Sequence, residues 1–155
     1  MKFLADRNLG KLTKWLRVIG YDSEIYQGAI GREFLREGAK QGRIVLTRRR
    51  DMASRNFTGK MYVVNADTLP EQLAEVIKEL SLQLNLNRFF SICLRCNQPL
   101  SEIEKAEVRD RVPPYVFQSQ SSFLVCRRCN AIFWAGTHKE NMVGYLKRHN
   151  LIHHL

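Results

Sequence analysis

The chain has 155 residues, 45% of them hydrophobic and 26% charged, which is enough apolar material for one folded domain with a small appendage and excludes a disordered tail. Lys and Arg outnumber Asp and Glu by 25 to 15, for a formal charge of +10, and the excess is even: 15 basic against 10 acidic side chains in residues 1–80, 10 against 5 in residues 81–155. So basic a protein suits an anionic partner, nucleic acid before any other, and no stretch approaches the ~20 apolar residues that span a bilayer.

In chain order, MKFLADRNLGKL reaches an acid at Asp6 without the apolar run of a signal peptide, so a cytoplasmic protein is expected. KFLA (2–5) reads as a short strand. Asn8 is placed to cap a helix carrying Leu9, Leu12, Leu16 and Ile19 at helical spacing, closed by Gly20. Its other face carries Lys11, Lys14 and Arg17, a basic stripe one turn from Asp6. DSEIY (22–26) is expected as a second strand and REFLREGAKQG (32–42) as a helix stopped by Gly42. RIVLT (43–47) is a third strand, central because Ile44, Val45 and Leu46 are consecutive. MYVV (61–64) is a fourth, and Thr68 with Glu71 makes a capping box for a helix to about Leu82.

Strands alternating with helices over 80 residues imply an α/β fold, a parallel sheet flanked by helices on both faces. In such sheets ligands bind beyond the carboxyl ends of the strands. Past Leu86 the pattern changes, dividing the chain into a first domain at 1–86 and a small module at 87–155. There Ser101 and Glu104 are expected to cap a short helix (102–111), YVFQSQSSFLV (115–125) and IFWAG (132–136) to be strands, and Thr137 with Glu140 to cap a final helix.

Cys93-Leu-Arg-Cys96-Asn97 and Cys126-Arg-Arg-Cys129-Asn130 both fit C-x-R-C-N. In a reducing compartment two such pairs point to metal and not to disulfides. Each pair forms a tight knuckle that must turn back after its second cysteine, and Asn tolerates the positive φ wanted there. The 29 residues between the pairs leave room for a helix and a strand as an excursion from a four-cysteine zinc ribbon. A redox C-x-x-C or four unrelated buried cysteines are the alternatives. With all four positions cysteine no coordination place is open, so the zinc would be structural. Arg95, Arg127 and Arg128 face away from the metal, toward phosphate or simply water. His138, His149, His153 and His154 have no paired acids and read as ordinary surface histidines.

Asp6 follows the first strand, Arg48 to Asp51 the third and Asp67 the fourth, while Asp22 begins the second. Acids at strand ends among Lys and Arg suit hydrolysis of phosphodiesters with Mg²⁺ or Mn²⁺, although such Asp residues also serve in turns and caps.

FLADRNLGKLTKWLRVIGYD (3–22), IVLTRRRD (44–51) and the four-cysteine module with RDRVPPYVFQ and FWAGTH together resemble the RNase domain found at the C-terminus of Mut-seven exonucleases and as free-standing prokaryotic proteins. That family is a PIN-fold nuclease joined to a zinc ribbon, and the likeness runs over essentially the whole chain. It implies an endoribonuclease, with Asp6 as the first metal-binding acid and Asp22 closing the same motif. The family's usual Leu-Thr-Arg-Asp would put a carboxylate at position 49, where this chain has Arg49. Asp51 lies two residues on.

The site expected on this resemblance is Asp6, Asp22 and Asp51 on Mg²⁺ or Mn²⁺, with Asp67 beside them. RNA would be held by Lys11, Lys14, Arg17, Arg48, Arg49, Arg50, Arg95, Arg127 and Arg128. An arginine in place of a ligand weakens metal binding by replacing attraction with repulsion. Two further readings therefore stand: a non-catalytic zinc-ribbon protein that binds RNA, the ribosome or pre-rRNA, and a zinc-stabilised protein-interaction adaptor.

Overall fold

The computed structural model of the chain describes residues 1–152, so His153 and His154 lie outside the described residues. Its first half is a four-stranded parallel sheet formed by β1 (Lys2–Ala5), β2 (Asp22–Ile25), β3 (Ile44–Thr47) and β4 (Met61–Val63), in the order β2-β1-β3-β4. The helices between them are α1 (Gly10–Val18) and α2 (Arg32–Lys40), with α3 (Leu69–Glu79) after β4.

Both faces of the central strands are buried, as three consecutive apolar residues in β3 require. Phe3, Ala5 and Leu46 pack with Leu9, Leu12 and Leu16 of the α1 region and Leu73 and Val76 of α3; Leu4 and Val45 pack on the other side with Phe34 and Leu35 of α2 and with Met52. The capping box at the start of α3 is present, with Thr68 and Glu71 in their expected places. The first helix starts differently. A 3₁₀ turn at Arg7–Leu9 precedes α1, and its cap is the Asp6 carboxylate, which accepts from the Asn8 N–H; Asn8 itself caps nothing here.

The second half holds an antiparallel sheet of β5 (Ser101–Ile103), β6 (Phe123–Val125) and β7 (Ile132–Phe133), with α4 (Pro114–Ser119) crossing over between β5 and β6. Two sequence expectations are corrected in this region. Residues 101–103 are extended because they pair with β6, leaving only a 3₁₀ turn at Lys105–Val108 where a helix over 102–111 is expected. Residues 114–119 are helical, not extended, with Pro114 in the first turn and Val116 buried against Val108, Val112 and Phe123.

The last helix, α5 (Thr137–Arg148), and the residues after it return to the first half: Leu146 of the helix, then Leu151 and Ile152, join the core around Leu12, Leu16 and Leu73. Gly20 marks another close approach. Its φ is +87°, and a Cβ there would stand 2.5 Å from the Arg88 carbonyl oxygen, so only glycine lets the segment entering the second half pass over the end of α1. Among the described residues no helix is long and apolar enough to cross a membrane.

Candidate functional site

In the order β2-β1-β3-β4 the chain leaves β1 to one side for β2 and crosses to the other side for β3. The crevice between the carboxyl ends of β1 and β3 is therefore the topological switch point, where open α/β sheets bind ligands. Asp6 stands there. It is 1% exposed, and its Oδ2 accepts from the Thr47 hydroxyl at 2.7 Å and from the Arg48 N–H at 3.1 Å, while Oδ1 accepts from the Asn8 N–H at 2.9 Å. Its own N–H donates to Leu46 O at 3.0 Å, so the carboxylate is fixed from both strands.

The neighbouring acids are each matched to an arginine. Arg48 pairs with the exposed Asp67. Arg49 lies before a 3₁₀ turn at Arg50–Met52, which folds Asp51 back so that its two oxygens accept from Arg49 Nε at 3.0 Å and Nη2 at 2.6 Å. Arg49 Nη1 also reaches the Ile30 carbonyl at 3.2 Å. That bidentate pairing holds the Asp51 carboxyl below its ordinary value and raises the guanidinium's. Asp51 thus neutralises Arg49. It does not replace the carboxylate expected at position 49.

Asp22 lies elsewhere, which corrects its placement in the cleft. It is in register with Lys2 at the amino end of the sheet, about 13 Å along the strand direction from Asp6 at ~3.3 Å per residue. Arg43 Nη1 donates to it at 2.6 Å, Asn97 Nδ2 donates to the same oxygen, and Lys2 Nζ is 3.7 Å away. Partial burial pushes its carboxyl up, but the Arg43 and Asn97 hydrogen bonds outweigh this and leave it below the ordinary carboxylate value.

Arg17 is likewise no surface cation. It is 7% exposed, donating from Nε to Ser23 O at 2.8 Å and from Nη1 to Leu94 O at 2.7 Å. With Asn97, whose Oδ1 accepts from the Ser23 N–H at 2.8 Å, it clasps the first cysteine knuckle to the start of β2. Helical spacing puts Arg17 on the basic stripe because spacing gives the face of a helix, not what a later segment lays over it.

The cysteines converge. Their four Sγ atoms lie within 4.8 Å of one another, and Cys93 and Cys129 are 3.8 Å apart, the edge of about 3.8 Å that a tetrahedron with Zn–S near 2.3 Å requires. The knuckles are built alike. Cys93 N–H donates to Gln98 O and Asn97 N–H to Cys93 O; Cys126 N–H donates to Ala131 O and Asn130 N–H to Cys126 O. Both Asn97 and Asn130 have φ of +57°, the left-handed turn anticipated from the sequence. The residues fit a zinc ion in a closed, structural site.

No comparable cluster of acids exists: the cysteines are the one convergent group of three or more Cys, His, Asp or Glu among the described residues. With Asp6 accepting three hydrogen bonds and Asp51 and Asp67 each held by arginine, the acids do not fit a preassembled Mg²⁺ or Mn²⁺ site.

The basic residues do form a continuous surface. A groove of about 610 Å³ at the carboxyl ends of the strands is lined by Arg7, Lys11, Lys14, Arg48 and Asp67. Through Lys11 and Lys14 it runs into a second of about 810 Å³ that reaches Trp15, Arg95 and Arg128 on the knuckles. Arg50 and Arg127 are exposed but outside these walls. Arg7 is the groove residue that the sequence pattern did not single out, although its place directly after Asp6 at a strand end was the available signal.

A family model described as Mut7-C RNAse domain matches residues 1–146. The chain belongs to the Mut7-C RNAse domain family. No curated protein and no solved structure matches it. Membership in the Mut7-C family agrees with the resemblance carried by residues 3–22 and by the cysteine module, and with a parallel sheet followed by a four-cysteine cluster.

Proposed function

We propose that this Mut7-C protein is an RNA-binding protein that lays the phosphodiester backbone of RNA along the groove from Arg48 at the switch point, past Lys11 and Lys14, to Arg95 and Arg128 on the zinc knuckles. The continuity of that groove carries the reading, because it joins cations from both halves of the chain in one track. RNA, including single-stranded segments of ribosomal or precursor rRNA, supplies the matching charge. Zinc contributes by fixing the two knuckles that present Arg95 and Arg128.

The test is the affinity for a short single-stranded RNA as a function of salt. Each cation withdrawn from a phosphate should lower the slope of log affinity against log salt by about 0.7, so Lys11→Ala with Lys14→Ala should lower it by about 1.4. An unchanged slope would place the RNA elsewhere.

The burial of Asp6 at the switch point supports a second reading, RNA hydrolysis of the kind the family description names, with Mg²⁺ or Mn²⁺ as the ion such acids would take. It requires Asp51 and Asp67 to leave Arg49 and Arg48. Incubating a mixed RNA pool with Mn²⁺ decides: cleavage abolished by Asp6→Asn supports hydrolysis, and tight salt-sensitive binding without cleavage supports binding alone.

A further inference from the structure

The basic groove does not end at the knuckles. Leu94 and His138 line both it and an adjoining cavity of about 560 Å³ on the zinc ribbon. That cavity is walled by Phe90, Phe133 and Trp134, and two lysines, Lys105 and Lys139, and two acids, Glu102 and Glu104, also line it. Its size falls in the range of small-molecule sites. Phe133 and Trp134 are not part of the ribbon's own core around Val108, Val116 and Phe123, although Phe123 of that core also lines the cavity, and Phe90 packs on its other side against the core of the first half.

Two local features hold the aromatic walls in place. Trp134, 37% exposed, folds over Gly136, where a Cβ would stand 3.1 Å from the indole Nε1; the glycine leaves room for the ring. Phe90 has φ of +58°, a backbone conformation that bulky residues rarely adopt, and its N–H is pinned to Val18 O at 2.8 Å. Lys139 Nζ lies 5.4 Å from the Phe90 ring centre, bringing positive charge to an aromatic face.

We propose that this cavity takes an unstacked nucleobase of a single-stranded RNA whose backbone lies in the basic groove. Single-strand binders combine a cationic track for phosphates with aromatic faces for bases, and here the two adjoin. An apolar peptide would match the aromatic walls but not the cations that lead to them. Duplex RNA has no base free to enter. The inference rests on the RNA reading of the groove and adds to it the part of the nucleotide that each half of the chain receives.

The experiment compares binding of a short oligouridine, the same oligomer with abasic sites, and an RNA duplex of equal length. Wild type is set beside Trp134→Ala, Trp134→Phe and the Lys11→Ala, Lys14→Ala pair, with zinc content measured for each. Trp134→Ala should weaken oligouridine binding roughly 5- to 150-fold, the range for removing one base–aromatic stack, while leaving the salt slope and duplex binding unchanged. Trp134→Phe should restore most of that affinity, and abasic sites should cost the wild type as much as the alanine does.

If the lysine pair weakens binding but Trp134→Ala does not, the groove stands and the base site is overturned. If neither variant matters, the RNA reading of the groove fails and the base site with it. Should Trp134→Ala lose zinc, the abasic oligomer decides: wild-type protein binding it as tightly as intact oligouridine overturns the proposal.

Discussion

The Arg17 guanidinium donates to the Leu94 carbonyl at 2.7 Å and to the Ser23 carbonyl at 2.8 Å, so one side chain of α1 joins β2 to the first cysteine knuckle. Replacing it with Met keeps much of the buried stem and removes both bonds, leaving two carbonyls without a donor. A loss of about 2–3 kcal/mol is expected in urea unfolding. Arg17→Lys should recover little, since an ammonium lacks the planar fork that reaches two acceptors at once. A lysine variant as stable as wild type would refute that account.

Asn97 and Asn130 share one backbone conformation but not one role. The Asn97 side chain accepts from Ser23 N–H and donates to Asp22, whereas Asn130 is exposed. Glycine accepts their φ of +57° at either position. Asn130→Gly should therefore be nearly neutral, while Asn97→Gly should cost about 1–3 kcal/mol by orphaning buried partners. Equal costs in thermal unfolding would mean that both asparagines serve only the turn.

Asp22 gives a related expectation with a defined pH range. Its folded pKa is depressed, so its stabilisation is present in full above the ordinary carboxylate value and is lost as pH falls through the lower folded one. Asp22→Asn should thus be destabilised by the same amount at every pH from weakly acidic to neutral. A penalty that grows or shrinks across that range, followed by chemical denaturation, would assign the effect to another group.

The four-cysteine site should bind close to one equivalent of zinc per chain, and chelation should remove stability from the whole protein, because the first knuckle is clasped to β2. Cys96→Ser should behave like the chelated protein. If far-ultraviolet dichroism from the parallel half survives unchanged while zinc leaves, the two halves are independent and the clasp is superficial.

Arg49→Asp tests the hydrolytic reading directly. The substitution releases Asp51 from its bidentate partner and puts a carboxylate near Asp6. Mn²⁺ affinity should rise, read by calorimetry, and cleavage of an RNA pool should rise with it. No gain in either would confine the cleft to binding.

Local chemistry was legible in the sequence where a short segment determines it alone. The Thr68 and Glu71 box, the turn-back at Asn97 and Asn130, and the place of Ile44, Val45 and Leu46 in a central strand of a parallel sheet each follow from a few adjacent residues. The misplacements come from partners far along the chain. Arg17 fits an exposed helical stripe until Leu94 covers it, and Ser101 fits a helix cap until β6 pairs with it. Asp22 belongs to the same sequence motif as Asp6 yet stands at the other end of the sheet, because a motif fixes spacing along the chain and strand direction fixes the end. Likewise the pairing of Asp51 with Arg49 depends on a 3₁₀ turn that two-residue spacing alone does not reveal.

The clasp also orders events during synthesis. Arg17 and Ser23 leave the ribosome more than 70 residues ahead of Leu94 and Asn97, a lag of roughly 4–15 s at ordinary translation rates. Throughout that interval the guanidinium destined for burial has no carbonyl from the knuckle to meet. Leu146, which closes the core over Leu12 and Leu73, arrives later still. Until then the core of the parallel half lacks its last helix, and a chain released early would leave that core open and the Arg17 guanidinium with the Ser23 carbonyl but without its knuckle partner.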